Sequence, residues 1–347
     1  MTKKVVGLVV AILAVLFLAG CGSTLAQKGT DHSGASNLQD QTKQVVIQIG
    51  YENNPGEPID LACKEWKRLL EEKSNGTIKV ELFPSSQLGS KNDLIDQMLA
   101  GANVITLADG AFYADRGVPD FGITFGPYLF DSWDQCWKLV DSNWWKEQSA
   151  KLEAKGLKLL TANWIYGERH LLTKKPVKKL SDLKGLKIRV PNNTIQIKGF
   201  EVLGATPTPM PLGEVYTALQ QGVIDGLENP LPVLYNGKFH EVAKYLALTG
   251  HIKNFTTWIC GVTLFNSLTP EQQKLLVETG NEAGVFNNSI QEKVSKETLE
   301  KLKAEGVQVT EVNVAEFKEA AKAFYSLPEF TSKWSPGLYE AVKAAMK

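Results

Sequence analysis

Net charge is the first thing this chain lacks: its 347 residues carry 38 basic and 38 acidic side chains. Without a basic surplus it is poorly suited to nucleic acid, whose recognition begins with a net positive face. Long apolar runs are missing too. The one candidate, residues 5–19, is 15 residues long, shorter than the roughly 20 a membrane-spanning helix needs. Histidine is down to four residues, and His170, His240 and His251 have no metal-ligand spacing. Cysteine is equally scarce, with four and no Cys-x-x-Cys pair. There is no Gly-x-Ser-x-Gly, no His-Glu-x-x-His and no Gly-x-x-x-x-Gly-Lys-[Ser/Thr], so the common hydrolase, zinc-peptidase and P-loop chemistries have no footing. No motif implies a cofactor. An enzyme would have to assemble its groups from distant positions.

The N-terminus is more specific. Lys3-Lys4 precedes the apolar run, and Leu18-Ala19-Gly20 supplies small residues directly before Cys21. This is the layout of a secretory signal, and the cysteine at the cut site makes it resemble a bacterial lipoprotein signal, with Cys21 lipidated after cleavage. The alternative is an uncleaved anchor. Either way residues 1–20 place the body of the protein outside the cytoplasm, attached to a membrane. Residues 21–43 lack aromatics and apolar periodicity and read as a flexible tether; its His32 has no assigned role. Of the remaining cysteines, Cys63 sits on a helical apolar face and Cys260 in an apolar run. Buried small hydrophobes are the expected reading there, although an oxidising compartment would permit one disulfide among Cys63, Cys136 and Cys260.

Beyond the tether, strand and helix signals alternate. Residues 45–51, 77–83 and 104–108 read as strands, with helices over 58–74 and 91–100 between them. The rhythm restarts after a helix over 133–155 and a strand over 157–164. Strands are expected at 169–173 and 186–190, and helices at 194–203, 212–221 and 231–242. The pattern predicts an α/β fold in two lobes, whose ligands bind at the carboxyl ends of strands. The chain would cross between lobes near 164–168 and 250–257, which makes these the candidate hinges. Residues 269–306 open with Thr-Pro-Glu and close with Gly306, giving either two helices joined at Gly280–Gly284 or one helix of about 35 residues, roughly 50 Å long. Helices over 314–325 and 336–346 close the chain.

Few residues stand where they could carry chemistry. Arg189 lies at the end of a strand, directly before Val190-Pro191; a guanidinium there is either solvated or aimed at a carboxylate, which it matches as a planar fork. Asn229 precedes Pro230 and follows Gly226, a setting typical of a turn. Arg169 begins a strand beyond the first hinge. Glu52 and Asp109 follow strands directly, so they face the cleft or cap the next element. Trp164 ends a strand before the hinge and either stacks on a sugar face or packs between lobes. Glu228 and Asp225 are read as local charge buffers.

The order of these blocks closely resembles the substrate receptors of TRAP (tripartite ATP-independent periplasmic) transporters. The resemblance rests on Phe83-Pro-Ser-Ser-Gln-Leu-Gly89, Gly126-Pro-Tyr-Leu-Phe130, Tyr166-Gly-Glu-Arg169, Gly185-Leu-Lys-Ile-Arg-Val-Pro191 and the segment from Gly204 through Glu228-Asn-Pro230. It implies a periplasmic-binding-protein-like fold with the ligand cleft between lobes and one long bracing helix. Lobe I would comprise residues 44–166 plus 255–294, and lobe II 167–254 plus 295–347. It further implies that Arg189 forms the main salt bridge to a substrate carboxylate, that Asn229 donates to the same group, and that Arg169 is a second substrate contact. Glu52 and Asp109 would meet hydroxyl or amino groups of an organic acid, either a sugar acid or a C4-dicarboxylate. The implied partner is an ion-driven membrane permease. The rivals are a receptor of an ATP-driven importer, which the Arg-Val-Pro and Glu-Asn-Pro blocks argue against, and a membrane-anchored enzyme.

Overall fold

The computed structural model describes residues 44–347, so the signal sequence, Cys21 and the tether lie outside the described residues. The first part alternates as expected: β1 Val45–Gly50, α1 Pro58–Lys73, β2 Ile78–Phe83, α2 Lys91–Leu99, β3 Val104–Ala108 and the short α3 Gly110–Ala114. Helix α2 starts at a full capping box, in which Ser90 and Asp93 satisfy each other's backbone amides. The helix expected over 133–155 is two helices, α4 Trp133–Asp141 and α5 Asn143–Ala154. Ser142 breaks the run because it is extended and its side chain caps α5 through Trp145 N.

The second part contains β4 Leu157–Thr173, β5 Lys187–Val190, α6 Thr194–Val202, β6 Thr206–Pro209, α7 Val215–Gln220, β7 Gly226–Asn229, α8 Leu231–Asn236 and β8 Tyr245–Gly261. The chain closes with α9 Val262–Ser267, α10 Pro270–Ala304, β9 Gln308–Thr310, α11 Val314–Ala321, α12 Pro328–Thr331 and α13 Leu338–Ala345. Several of these differ from the sequence expectation. The strands expected at 157–164 and 169–173 are one 17-residue strand, β4. Asn229 is the last residue of a strand rather than part of a turn. The helix expected over 231–242 stops at Asn236, where Gly237 and a left-handed Lys238 lead into a 3-10 turn.

One sheet runs through the described residues in the order β2-β1-β3-β8-β4-β7-β5-β6, with β9 on β8. Each end is parallel (β2-β1-β3 and β7-β5-β6), and the middle is the antiparallel pair β4–β8. That pair carries the chain across the molecule twice. Its register shifts between Leu159 and Leu171, at several irregularities, so the expected crossings at 164–168 and 250–257 lie inside a bulged ladder, where extra residues bend strands.

Helix α10 is a single helix of 35 residues, started by a Thr269–Gln272 capping box. Its two interior glycines are contact points, not a break. A Cβ on Gly280 would stand 2.9 Å from Trp66 Cζ2, and one on Gly284 2.7 Å from Trp164 Cδ1. The helix also grips β4 at the crossing. Asn287 and Gln291 donate to Ile165 O, Gln291 donates to Tyr166 O, and Asn288 Oδ1 accepts from Ile165 N. Among the described residues, Cys63, Cys136 and Cys260 are free and buried in the core. From Phe324 onward the C-terminal segment joins the same apolar core as residues 118–157; Trp334 Nε1 donates to Pro119 O, and Ser335 donates to Asp120. That packing sets the last helices against residues 118–157, with Ile195 and Ile252 in the same cluster. No helix of the described residues is long and apolar enough to cross a membrane.

Candidate ligand-binding site

Four strands end at one place. Glu52 follows β1, Asp109 follows β3, Arg189 is near the end of β5 and Asn229 ends β7. Convergence of strand carboxyl ends is the geometry that α/β sheets use for ligands. The pocket there has about 370 Å³ of empty volume and is lined by these four residues, Tyr166 and Arg169 from β4, and Asn254 and Thr256 from β8. Lys91, Leu107, Phe112, Pro191, Gln196 and Leu212 complete the wall. Of that, only about 20 Å³ is cavity that a water-sized sphere can enter, room for about one water molecule with the walls as they stand.

The two arginines differ sharply. Arg189 is 2% exposed, and its Nε and Nη2 both donate to Met210 O, at 2.9 and 2.7 Å. It forms no ion pair among the described residues. Burial lowers its pKa to about 10, which still leaves it charged at neutral pH. Arg169 is equally buried but already neutralised. Its Nε and Nη2 grip Glu228 at 2.5 and 2.6 Å, and its Nη1 donates to Asn254 Oδ1 at 3.0 Å. Burial pushes the Glu228 carboxyl up, but Arg169 and His251 outweigh it and hold the group at about 2. Burial also lowers the pKa of His251, although Glu228 pulls it up. A neutral ring matches its contacts, with Nε2–H donating to Glu228 at 3.1 Å and Nδ1 accepting from Thr249 at 2.8 Å.

Asn229 Oδ1 is buried without a partner among the described residues, a costly state unless a ligand or water supplies a donor. Its position is fixed by Pro230, against which Gly167 is tightly packed. Gly167 has φ +132, and a Cβ there would stand 2.8 Å from Pro230 Cβ. Asp109 caps α3 through Ala111 N at 3.0 Å, and burial raises its pKa against the pull of Lys91 and Arg169. Glu52 lies 3.8 Å from Lys91 Nζ and accepts a long 3.5 Å bond from Leu212 N. Lys91 also stands over the Phe112 ring at 4.7 Å.

Five of the six binding residues expected from sequence thus line one pocket. Trp164 does not. It is fully buried, packed against Trp66 and Trp258, with its indole N–H donating to Gly280 O at 3.0 Å. Its side chain packs under α10, against Gly280 and Gly284, and not into the pocket. Glu228 is the partner of Arg169, and Asp225 accepts from Lys187 N in the neighbouring strand. Sequence reasoning missed Lys91, Gln196, Asn254 and Thr256. It used Tyr166 only as a landmark. In the structure the Tyr166 hydroxyl accepts from Asn53 at 3.2 Å, which leaves its own hydrogen for the pocket. The starts of α2 and α6 were the signal available for Lys91 and Gln196.

The walls of the cleft touch at its rim. Asp115 accepts from Thr194 N at 3.0 Å, at the start of α6, and Asn92 donates to Asn192 O at 3.1 Å. Ile195 packs beside Gly122, where an added Cβ would come within 2.5 Å of its Cδ1.

Comparison with known proteins agrees with this architecture. The model of the bacterial extracellular solute-binding proteins, family 7, matches residues 49–332. The Escherichia coli 2,3-diketo-L-gulonate-binding periplasmic protein YiaO is 33% identical over 312 residues, covering 89% of this chain and 90% of that protein. A TRAP periplasmic solute-binding protein from Ochrobacterium anthropi, solved with bound L-fuconate, is 46% identical with a TM-score of 0.84, covering 88% of this chain and all of that one. Another from Actinobacillus succinogenes, with bound L-galactonate, is 44% identical with a TM-score of 0.83, covering 87% of this chain and 99% of that one. These relatives are solute receptors, not enzymes. With the family model spanning most of its length, the chain belongs to the family 7 extracellular solute-binding proteins, the receptors of TRAP transporters.

Proposed function

We propose that this receptor captures a sugar acid, with Arg189 as the anchor of its carboxylate and Asn229 as a second donor, and presents it to a TRAP membrane permease. The single observation that carries the reading is Arg189 itself, a charged guanidinium 2% exposed, held by one carbonyl and without an acid. A buried unpaired charge is costly, and a ligand carboxylate relieves that cost. The bound L-fuconate and L-galactonate of the two structural neighbours support the substrate class. A C4-dicarboxylate is the second reading, supported by the 28% identical C4-dicarboxylate-binding protein DctB of Bacillus subtilis. Arg169, Glu52 and Asp109 then contact the rest of the ligand, and Cys21 tethers the receptor to a membrane through lipid. Lobe I takes in residues 44–166 plus 255–294, lobe II residues 167–254 plus 295–347, and the β4–β8 crossing serves as the hinge.

A thermal-shift screen against sugar acids, dicarboxylates, neutral sugars and amino acids tests this. Ligand at about 100 times its Kd adds about 2.7 kcal/mol of stability. Stabilisation only by carboxylates, and lost in Arg189→Ala, is the expected result. Stabilisation by neutral sugars alone, or an unchanged response in Arg189→Ala, would refute the anchor.

A further inference from the structure

We infer that Asp109 and the Glu52–Lys91 pair make the pocket selective for a polyhydroxy monocarboxylate and reject the dicarboxylate of the same carbon chain. The inference rests on the carboxylate reading above and decides between its two substrate classes. It begins with which polar groups of the wall still have bonds to give. Gln196 is committed to Glu228, Asn193 and the α6 N-terminus. Asn254 holds Arg169 and Phe255 O, and Thr256 holds Ala108 O. Unspent capacity remains on Arg189 and Asn229 at one end, and on Glu52, Lys91, Asp109 and Tyr166 elsewhere in the wall.

The charges sort in the same way. Arg169 has Glu228, and Lys91 stands beside Glu52 at 3.8 Å. Among the described residues, Arg189 is left as the one cation of the wall without an acid, and the buried Asn229 Oδ1 beside it, unpartnered among them, marks a place for a ligand donor or water. A first carboxylate completes Arg189, and a hydroxyl next to it can donate to Asn229 Oδ1. A second one finds no free cation and enters the field of Asp109 and Glu52 in an enclosed pocket, where like charges are poorly screened. Hydroxyl groups meet the opposite situation. They donate to the Asp109 and Glu52 oxygens and accept from Lys91 and Tyr166, which suits the two-way bonding of a polyol.

Calorimetric titration of the purified protein with five- and six-carbon aldonates and the matching aldarates tests the inference. The tightest aldonate should bind at least a hundredfold more tightly than its aldarate. Asp109→Asn keeps a good helix cap, and Glu52→Gln releases Lys91 from its acid. Each should tighten the aldarate relative to the aldonate at least tenfold, with the larger gain for Glu52→Gln. Wild-type protein that binds the aldarate as tightly as the aldonate, or aldarate affinity that rises in neither variant, would overturn the selectivity while leaving the carboxylate anchor in place. Failure of folded protein to bind any acid would overturn the anchor, and the selectivity with it.

Discussion

At the scale of single residues, Arg169 and Arg189 read alike in the sequence, and the difference lies in what stands behind each. Glu228 occupies one guanidinium fork, while a backbone carbonyl holds the other and leaves it charged and open. A lysine cannot copy that, since Arg189 uses two donors of a rigid fork on Met210 O and leaves Nη1 without a partner among the described residues. Arg189→Lys should therefore weaken sugar-acid binding at least tenfold in calorimetry, and an unchanged Kd would remove Arg189 from the site. Residue chemistry also sets a pH dependence. His170 accepts from Gly250 N through Nδ1, and burial, with His251 nearby, lowers its pKa to about 4. Between pH 6.5 and 4 the unfolded chain therefore binds more protons at this position. Its contribution is complete above pH 6.5 and is lost as pH falls towards 4, on the order of 3 kcal/mol. Glu57, pushed by burial to about 7, acts in the opposite sense, favouring the fold more below pH 4.5 than above pH 7. The variant difference isolates the first effect. His170→Asn keeps an acceptor for Gly250 N, and its Tm should fall less than wild type between pH 6.5 and 4; parallel curves would show that His170 does not titrate in this way.

At the scale of elements, legibility followed local signal. Strands β1 to β3 and their helices could be read because apolar periodicity and caps sit within each segment. Strands β4 and β8 could not. Each is 17 residues long and crosses the molecule, and their interiors carry Gly167, Gly250 and charged residues that locally read as boundaries. Strand β6 is Thr-Pro-Thr-Pro, a sequence that argues against a strand; it is tolerated at the sheet edge, where no partner needs the missing N–H groups. Asn229 read as a turn for the same reason, since Asn-Pro is a local turn signal while its strand pairing is made with residues far away in sequence. The single-helix reading of α10 rested on family likeness, because Gly280 and Gly284 look like breaks until Trp66 and Trp164 are seen against them. That contact decides a substitution. Propensity favours alanine over glycine inside a helix by about 1 kcal/mol, but a Cβ at Gly284 would lie 2.5 Å from Asn163 Oδ1 and 2.7 Å from Trp164. Overpacking costs about 1–3 kcal/mol, so Gly284→Ala should lower the melting temperature. A rise would mean that the indole yields easily and the bracing contact is loose.

At the scale of the whole molecule, the pocket is closed by contacts between its walls as well as by residues that face a ligand. The Asp115–Thr194 bond joins an acid to the start of α6, where the helix dipole favours negative charge. Asn92 adds a second rim contact, and its side chain is positioned in turn by Arg116. Neither lines the pocket, so on the proposed hinge their effect on affinity comes through the balance of an open and a closed state. A contact made only when the walls meet adds its free energy to apparent binding. The Asp115 bond is exposed, which limits it to about 0.5–1 kcal/mol. Asp115→Ala should accordingly weaken binding of the best sugar acid about two- to fivefold, through faster ligand dissociation, while the Tm of the ligand-free protein changes little. Small-angle scattering should show the variant compacting on ligand addition, but requiring more ligand to do so. A Kd equal to wild type would show that the rim contact is incidental to closure, and that the residues lining the pocket set the affinity by themselves.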